Sequence, residues 1–225
     1  MDPNRKLWND QQQALRQALS RPAEHARAIE LFLAQHAMLH AADVSGSNLY
    51  SFDNELWHGL SDEAARRIPP GEEHSIAWMI WHLARIEDVT MNLLLAGQAQ
   101  LYLQDAWMER LKISFRDTGN SLDPVEIAGL SAAIDIPALR AYRIAVGRRT
   151  REVVQHLQPQ EVKKKVLPAR LERVQAEGAV TAAAQWLLDY WGGLTISGLL
   201  LMPPTRHNLV HLNEAIRIKR RVLKP

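Results

Sequence analysis

The chain contains no cysteine. That excludes disulfides, thiolate metal sites and a cysteine nucleophile, so any metal must be held by nitrogen and oxygen ligands. Charge of one sign is also missing: 27 basic residues against 25 acidic ones leave a formal net charge of +2. Nucleic-acid-binding domains usually carry a clear basic excess, so that class is not expected. No segment alternates apolar and polar residues with β-branched and aromatic enrichment, so strands are not expected. There is no Gly-rich phosphate loop, no nucleophile elbow and no convincingly spaced carboxylate pair. Nor is there an uninterrupted membrane-spanning run. The most apolar stretch, Ala182 to Met202, is long enough to cross a bilayer, but Gln185, Asp189 and Gly192-Gly193 interrupt it. It reads as a buried bundle helix. The polar start "MDPNRKLWNDQQQALRQ" has no secretory pattern, and a cytoplasmic protein is expected.

What remains is an ordinary globular composition, 47% hydrophobic and 23% charged over 225 residues, long enough to bury a substantial core. Apolar residues recur at helical spacing. The pattern predicts a first helix from about Asp10 to Leu39, capped by Asn9 or Asp10, which Pro22 can divide. A second helix runs from about Ser75 to Ala96 and stops at Gly97. "LQDAWMERL" is a short helix, and the segment after it is a loop with one or two helical turns. A third long helix starts near Asp135, with Pro137 in its first turn, and ends near Leu157. A loop containing Lys163 to Lys165 and Pro168 follows. Ala179 to Met202 is the fourth long helix. Pro203-Pro204 breaks or kinks it, and Thr205 caps a last helix through about Arg221. With no repeat, low-complexity segment or flexible linker, the reading is one all-α domain over residues 1–225, a bundle of four or five long helices with extra short helices in the connections.

Nine histidines are the residues of chemical interest. In "RHNLVHLNEA", His207 and His211 stand four apart and so share one helix face, with Glu214 at the next position on that face. They can grip one ion, or they can be two ordinary helix histidines. A pair is an incomplete site, since catalytic zinc commonly uses three protein ligands. Two places can supply a third ligand. One is His82, inside the apolar segment "HSIAWMIWHLARIEDVTMN", where it is either hydrogen-bonded in the core or coordinating. The other is a second four-apart pair, His36 and His40, which falls where the first helix runs out into polar loop. Glu87 and Asp88 point away from the face of His82 and are expected to pair with Arg85 or other arginines.

The segment around His82, followed far downstream by the H-x-x-x-H pair, resembles the DinB-like superfamily of bacterial metal-binding four-helix bundles (DinB/YfiT-type). The resemblance implies that His82, His207 and His211 are the metal ligands. Family members often continue the pair with a further histidine and "RGQ"-like residues, where this chain has Leu212, Asn213 and Glu214. Characterised relatives include thiol-dependent S-transferases and an isomerase. The resemblance therefore implies a metal-dependent enzyme acting through a small thiol, with a hydrolase or a non-catalytic, stress-related metal-binding bundle as alternatives.

Three neutral imidazoles on one side of a divalent ion leave the opposite positions open. Nitrogen-only ligation does not choose the metal: zinc or nickel is the first expectation, with iron or manganese as alternatives, and a low-molecular-weight thiol is the expected second cofactor. Glu214 is a candidate hydrogen-bond acceptor for a ligand or a fourth ligand. Thr205 as cap would place His207 in a first helical turn, whose positive end disfavours imidazolium. His74, Trp78, Trp186 and Tyr190 are candidate pocket residues; aromatic residues at helical spacing can equally be plain core. No catalytic residue is assigned. Lys163 to Lys165 and Arg217 to Arg221 read as solvated faces or an anion-binding patch. The expected partner is a small-molecule substrate, not nucleic acid or a membrane, and a homodimer is left open.

Overall fold

A computed structural model describes residues 2–223. Among them no strand forms; the one extended pairing is an antiparallel bridge between Lys165 and Thr195. In chain order the helices are α1 (Pro3–Ser20), α2 (His25–Ala37), α3 (Ala42–Ser45), α4 (Phe52–Trp57), α5 (Asp62–Arg66), α6 (Ile76–Asp88), α7 (Trp107–Leu111), α8 (Pro124–Ala133), α9 (Ile136–Gln155), α10 (Pro168–Ala176), α11 (Gln185–Gly193), α12 (Ile196–Leu201) and α13 (Asn208–Val222). Two π-helical stretches join this series. Val89–Ala96 prolongs α6, and Met202–His207 links α12 to α13.

The central element is α6 with its π-helical extension. Every residue from Ile76 to Leu95 is buried, including the polar and charged His82, Arg85, Glu87, Asp88, Thr90 and Asn92. The Ser75 side chain caps its start by accepting from the Trp78 amide, 2.9 Å away. α6 packs against α9 and α13, α1 lies along α2, and α10 covers the π-helical extension. One apolar cluster gathers Trp81, Leu139, Tyr142 and Leu212 around α6, α9 and α13. A second gathers Phe32, Leu93, Trp191 and Leu199 around the extension, α2, α11 and α12.

Several boundaries differ from the sequence reading. The first helix begins earlier, because Asp2 caps it by accepting from the Arg5 amide and Pro3 occupies the first turn. Pro22 does divide it, through a short 3₁₀ turn. The segment expected to be mostly loop contains α8, held by a capping box between Asp123 and Glu126. The expected loop around Pro168 contains α10, with that proline at its first position. The single helix expected over Ala179 to Met202 is instead a 3₁₀ turn, α11 and α12, broken at Leu194.

Thr205 is not a cap. Its hydroxyl donates 2.8 Å to the Leu200 carbonyl inside the π-helical turn. The backbone there is continuous into α13, so His207 ends a π-helical turn rather than opening a helix. Pro203 and Pro204 lack the N–H groups that an α-helical ladder needs. The carbonyl of Leu200, four residues before Pro204, is the one that the Thr205 hydroxyl takes up, and the Asn208 side chain adds a bond to Pro204 O at 3.1 Å. No helix among the described residues is long and apolar enough to cross a membrane.

Candidate metal centre

The side chains of His82, His207 and His211 meet between α6 and the junction of the second π-helical turn with α13. Each offers a ring nitrogen, and these atoms all lie within 4.8 Å of one another. The ring centroids form a triangle with sides of 5.1, 5.4 and 4.6 Å. His82 Nε2 is 3.2 Å from His207 Nε2. Two nitrogens bonded at about 2.05 Å to one tetrahedral ion stand about 3.3 Å apart, so this spacing fits shared coordination.

Ring orientation also fits. His82 Nδ1 is 2.6 Å from the Thr118 carbonyl, which can only accept, so Nδ1 carries the proton and Nε2 keeps its lone pair toward the centre. His211 Nδ1 meets Glu214 Oε2 at 3.1 Å, which orients the second ring in the same sense. Glu214 therefore stands behind His211 as its acceptor. His207 Nδ1 is buried with no hydrogen-bond partner among the described residues.

Burial keeps two of the three rings, His82 and His207, neutral. Burial lowers the His82 pKa to about 3, against the opposing bond to Thr118. Burial also pushes His207 well below the usual histidine range, and the neighbouring His82 and His211 add to that. Neutral imidazole is the form that binds metal. The donor set is all nitrogen, as the absence of cysteine requires, and it suits zinc, nickel, iron or manganese without choosing.

A family profile described as the DinB superfamily matches residues 54–189, more than half of the chain. The chain belongs to the DinB superfamily. The matched span holds His82 and Thr118, while His207 and His211 lie beyond its end. No curated protein matches the chain.

Thr118, the one partner in this candidate centre that sequence reasoning missed, acts through its backbone. Its loop is fixed from α6 itself. Arg85, one turn after His82 and fully buried, donates 2.7 Å to the Arg116 carbonyl. The next residue after Thr118 is Gly119, at φ +81°, and a Cβ there would lie 2.6 Å from the Trp81 ring. Only glycine combines that backbone with that approach.

A second DinB-bundle cluster corrects the expectation for His36 and His40. Both are fully buried, not at a polar helix end. Their Nε2 atoms lie 2.9 and 3.0 Å from the two oxygens of Glu87. Glu87 thus pairs with histidines rather than with an arginine, while Asp88 does lie 3.4 Å from Arg85. His36, His40 and Glu87 are also close enough together to hold an ion. However, Thr150 donates to Oε1 at 2.7 Å and Asn208 to Oε2 at 2.6 Å, so each carboxylate oxygen has two donors. A carboxylate offers about four acceptor sites, and here all are filled. The Glu87 carboxylate is thus a saturated hydrogen-bond centre that ties α6 to α9, α13 and the segment carrying His36 and His40.

The aromatic candidates separate. Trp78 is buried and stacks 4.9 Å from His82 on one side and 3.9 Å from His74 on the other. His74, half-buried just before the Ser75 cap, is held below its ordinary pKa by burial. Neither lines a cavity beside the centre. Trp186 and Tyr190 do: with His207 they wall a recess of about 110 Å³. A larger cavity, about 570 Å³ between Leu95, Arg149, Lys165 and Arg170, contains no member of the triad.

Proposed function

We propose that this protein is a metal-dependent enzyme in which His82, His207 and His211 hold one divalent ion and a small-molecule thiol is directed at an electrophilic substrate. The observation that carries the reading is the convergence of three histidine ring nitrogens, with two of the rings locked by acceptors at Nδ1. A divalent ion with positions left open lowers the pKa of a bound thiol and strengthens it as a nucleophile. The chain's own residues supply the rest. Thr118 fixes the tautomer of His82, Glu214 orients His211, and burial keeps His82 and His207 unprotonated. The chain contains no thiol of its own, so the thiol must come from solution.

Cobalt-substituted protein tests this. Addition of bacterial low-molecular-weight thiols is expected to produce a sulfur-to-metal charge-transfer band with at least one of them. The same thiol should support turnover of a reactive electrophile, and His211→Ala should abolish that turnover. Metal-dependent ester or amide cleavage with no thiol-sensitive spectrum would replace this reading with a hydrolase. Silence in both assays would leave a metal-binding bundle without catalysis.

A further inference from the structure

The recess beside His207 has a composition that selects its occupant. Its inner wall is Ile86, Leu187, Trp191, Met202 and Pro203. Trp186 and Tyr190, one helical turn apart on α11, frame it and stay 57% and 42% exposed. No lysine, arginine, aspartate or glutamate lines it, and its polar members are Asn120, Tyr190 and His207. Large aromatic side chains left exposed at the rim of an apolar recess are usual for ligand sites, where they stack on a flat guest. A charged guest would lose its hydration with nothing to compensate it.

Size sets a second limit. An enclosed apolar cavity of about 150 Å³ holds benzene. A recess of about 110 Å³ that opens past Trp186 and Tyr190 therefore takes a guest of single-ring size and no more. His207 ties the recess to the triad, because the residue lines its wall and its Nε2 is 3.2 Å from His82 Nε2. A group seated there lies against one residue of the candidate metal site. We propose that the recess is a specificity subsite that takes an uncharged, single-ring aromatic or short alkyl substituent of the substrate, with Trp186 and Tyr190 as the selecting residues. The assignment of this guest to a substrate rests on the proposed function; the binding of the guest does not.

The test separates the two. Fluorobenzene is titrated into the full chain, first stripped of metal with a chelator and then cobalt-loaded, and followed by ¹⁹F NMR. Saturable binding is expected in both forms. Met202→Trp, which fills the recess, should abolish it, and Trp186→Ala, at an exposed position outside the core, should weaken it at least tenfold. Benzoate and benzylammonium should bind at least tenfold more weakly than fluorobenzene. If fluorobenzene does not bind, or Trp186→Ala binds it as tightly as the unaltered chain, the subsite does not exist, whatever the metal and thiol experiments show. If it binds as expected while no thiol perturbs the cobalt spectrum, the subsite stands and the thiol reading falls.

Discussion

His82 shows how a single backbone contact gives a side chain its chemistry. A histidine buried among Trp78, Trp81 and Leu83 has two interchangeable nitrogens until something fixes the proton. The Thr118 carbonyl does so at 2.6 Å and leaves Nε2 toward the centre. Roles at the centre are therefore graded, and the grading can be measured. His82→Ala or His211→Ala removes a ligand, and about one divalent ion per chain should be lost on dialysis. Glu214→Ala removes only the acceptor behind His211, so the stoichiometry should survive with affinity reduced about 10–100-fold, the usual effect of an outer partner. Competition against a chromophoric chelator measures both. Equal affinity in the unaltered chain and the His82→Ala, His211→Ala double variant would remove the triad from the account.

At the scale of elements, local signals were readable and tertiary ones were not. Ser75 with the apolar run after it, and Asp135 with Pro137, announce α6 and α9, and both helices start there. The "DPVE" capping box of α8 was equally visible, but that helix buries only Ile127, Leu130 and Ser131, so its periodicity is weak. The break at Leu194 follows Gly192-Gly193, and Thr195 caps α12 by accepting from the Gly198 amide. Residues 162–166 hold it open by pairing across it: the Ile196 amide donates to Lys164 O and the Val166 amide to Leu194 O. The triad followed from family resemblance joined to helical spacing, whereas Thr118 could not be read because its contribution is a carbonyl brought in by a folded loop. That loop carries its own prediction. Gly119→Ala sets a Cβ 2.6 Å from the Trp81 ring in a backbone that L residues avoid. The Thr118 carbonyl should shift away from His82, lowering metal affinity about tenfold or more, with helical circular dichroism unchanged. Unaltered affinity would show that the carbonyl does not govern the ligand.

For the whole molecule, the Glu87 centre makes stability depend on pH. Four donors from three other parts of the bundle converge on one buried carboxylate. Burial pushes the Glu87 carboxyl up, but the facing His40 and His36 and their hydrogen bonds outweigh it and hold it well below its ordinary value. Burial is also the main force on His40, lowering its pKa to about 3, with Glu87 opposing and His36 and Arg143 adding to the fall. Both shifts act in the same direction. An unfolded histidine takes up a proton below pH about 6.5 while folded His40 refuses it down to about 3, so acid favours the unfolded chain across that window. Glu87 adds a further loss as pH falls below its unfolded value of about 4.3. At pH 5 the His40 contribution alone should cost the metal-free protein about 2 kcal/mol relative to pH 7.5. Urea denaturation at the two pH values measures it, and His40→Gln, which cannot titrate, should flatten the dependence by about that amount while lowering stability at both. A variant whose stability falls between pH 7.5 and 5 as steeply as that of the unaltered chain would mean that the acid sensitivity arises elsewhere, with the buried rings of the metal centre as the next place to look.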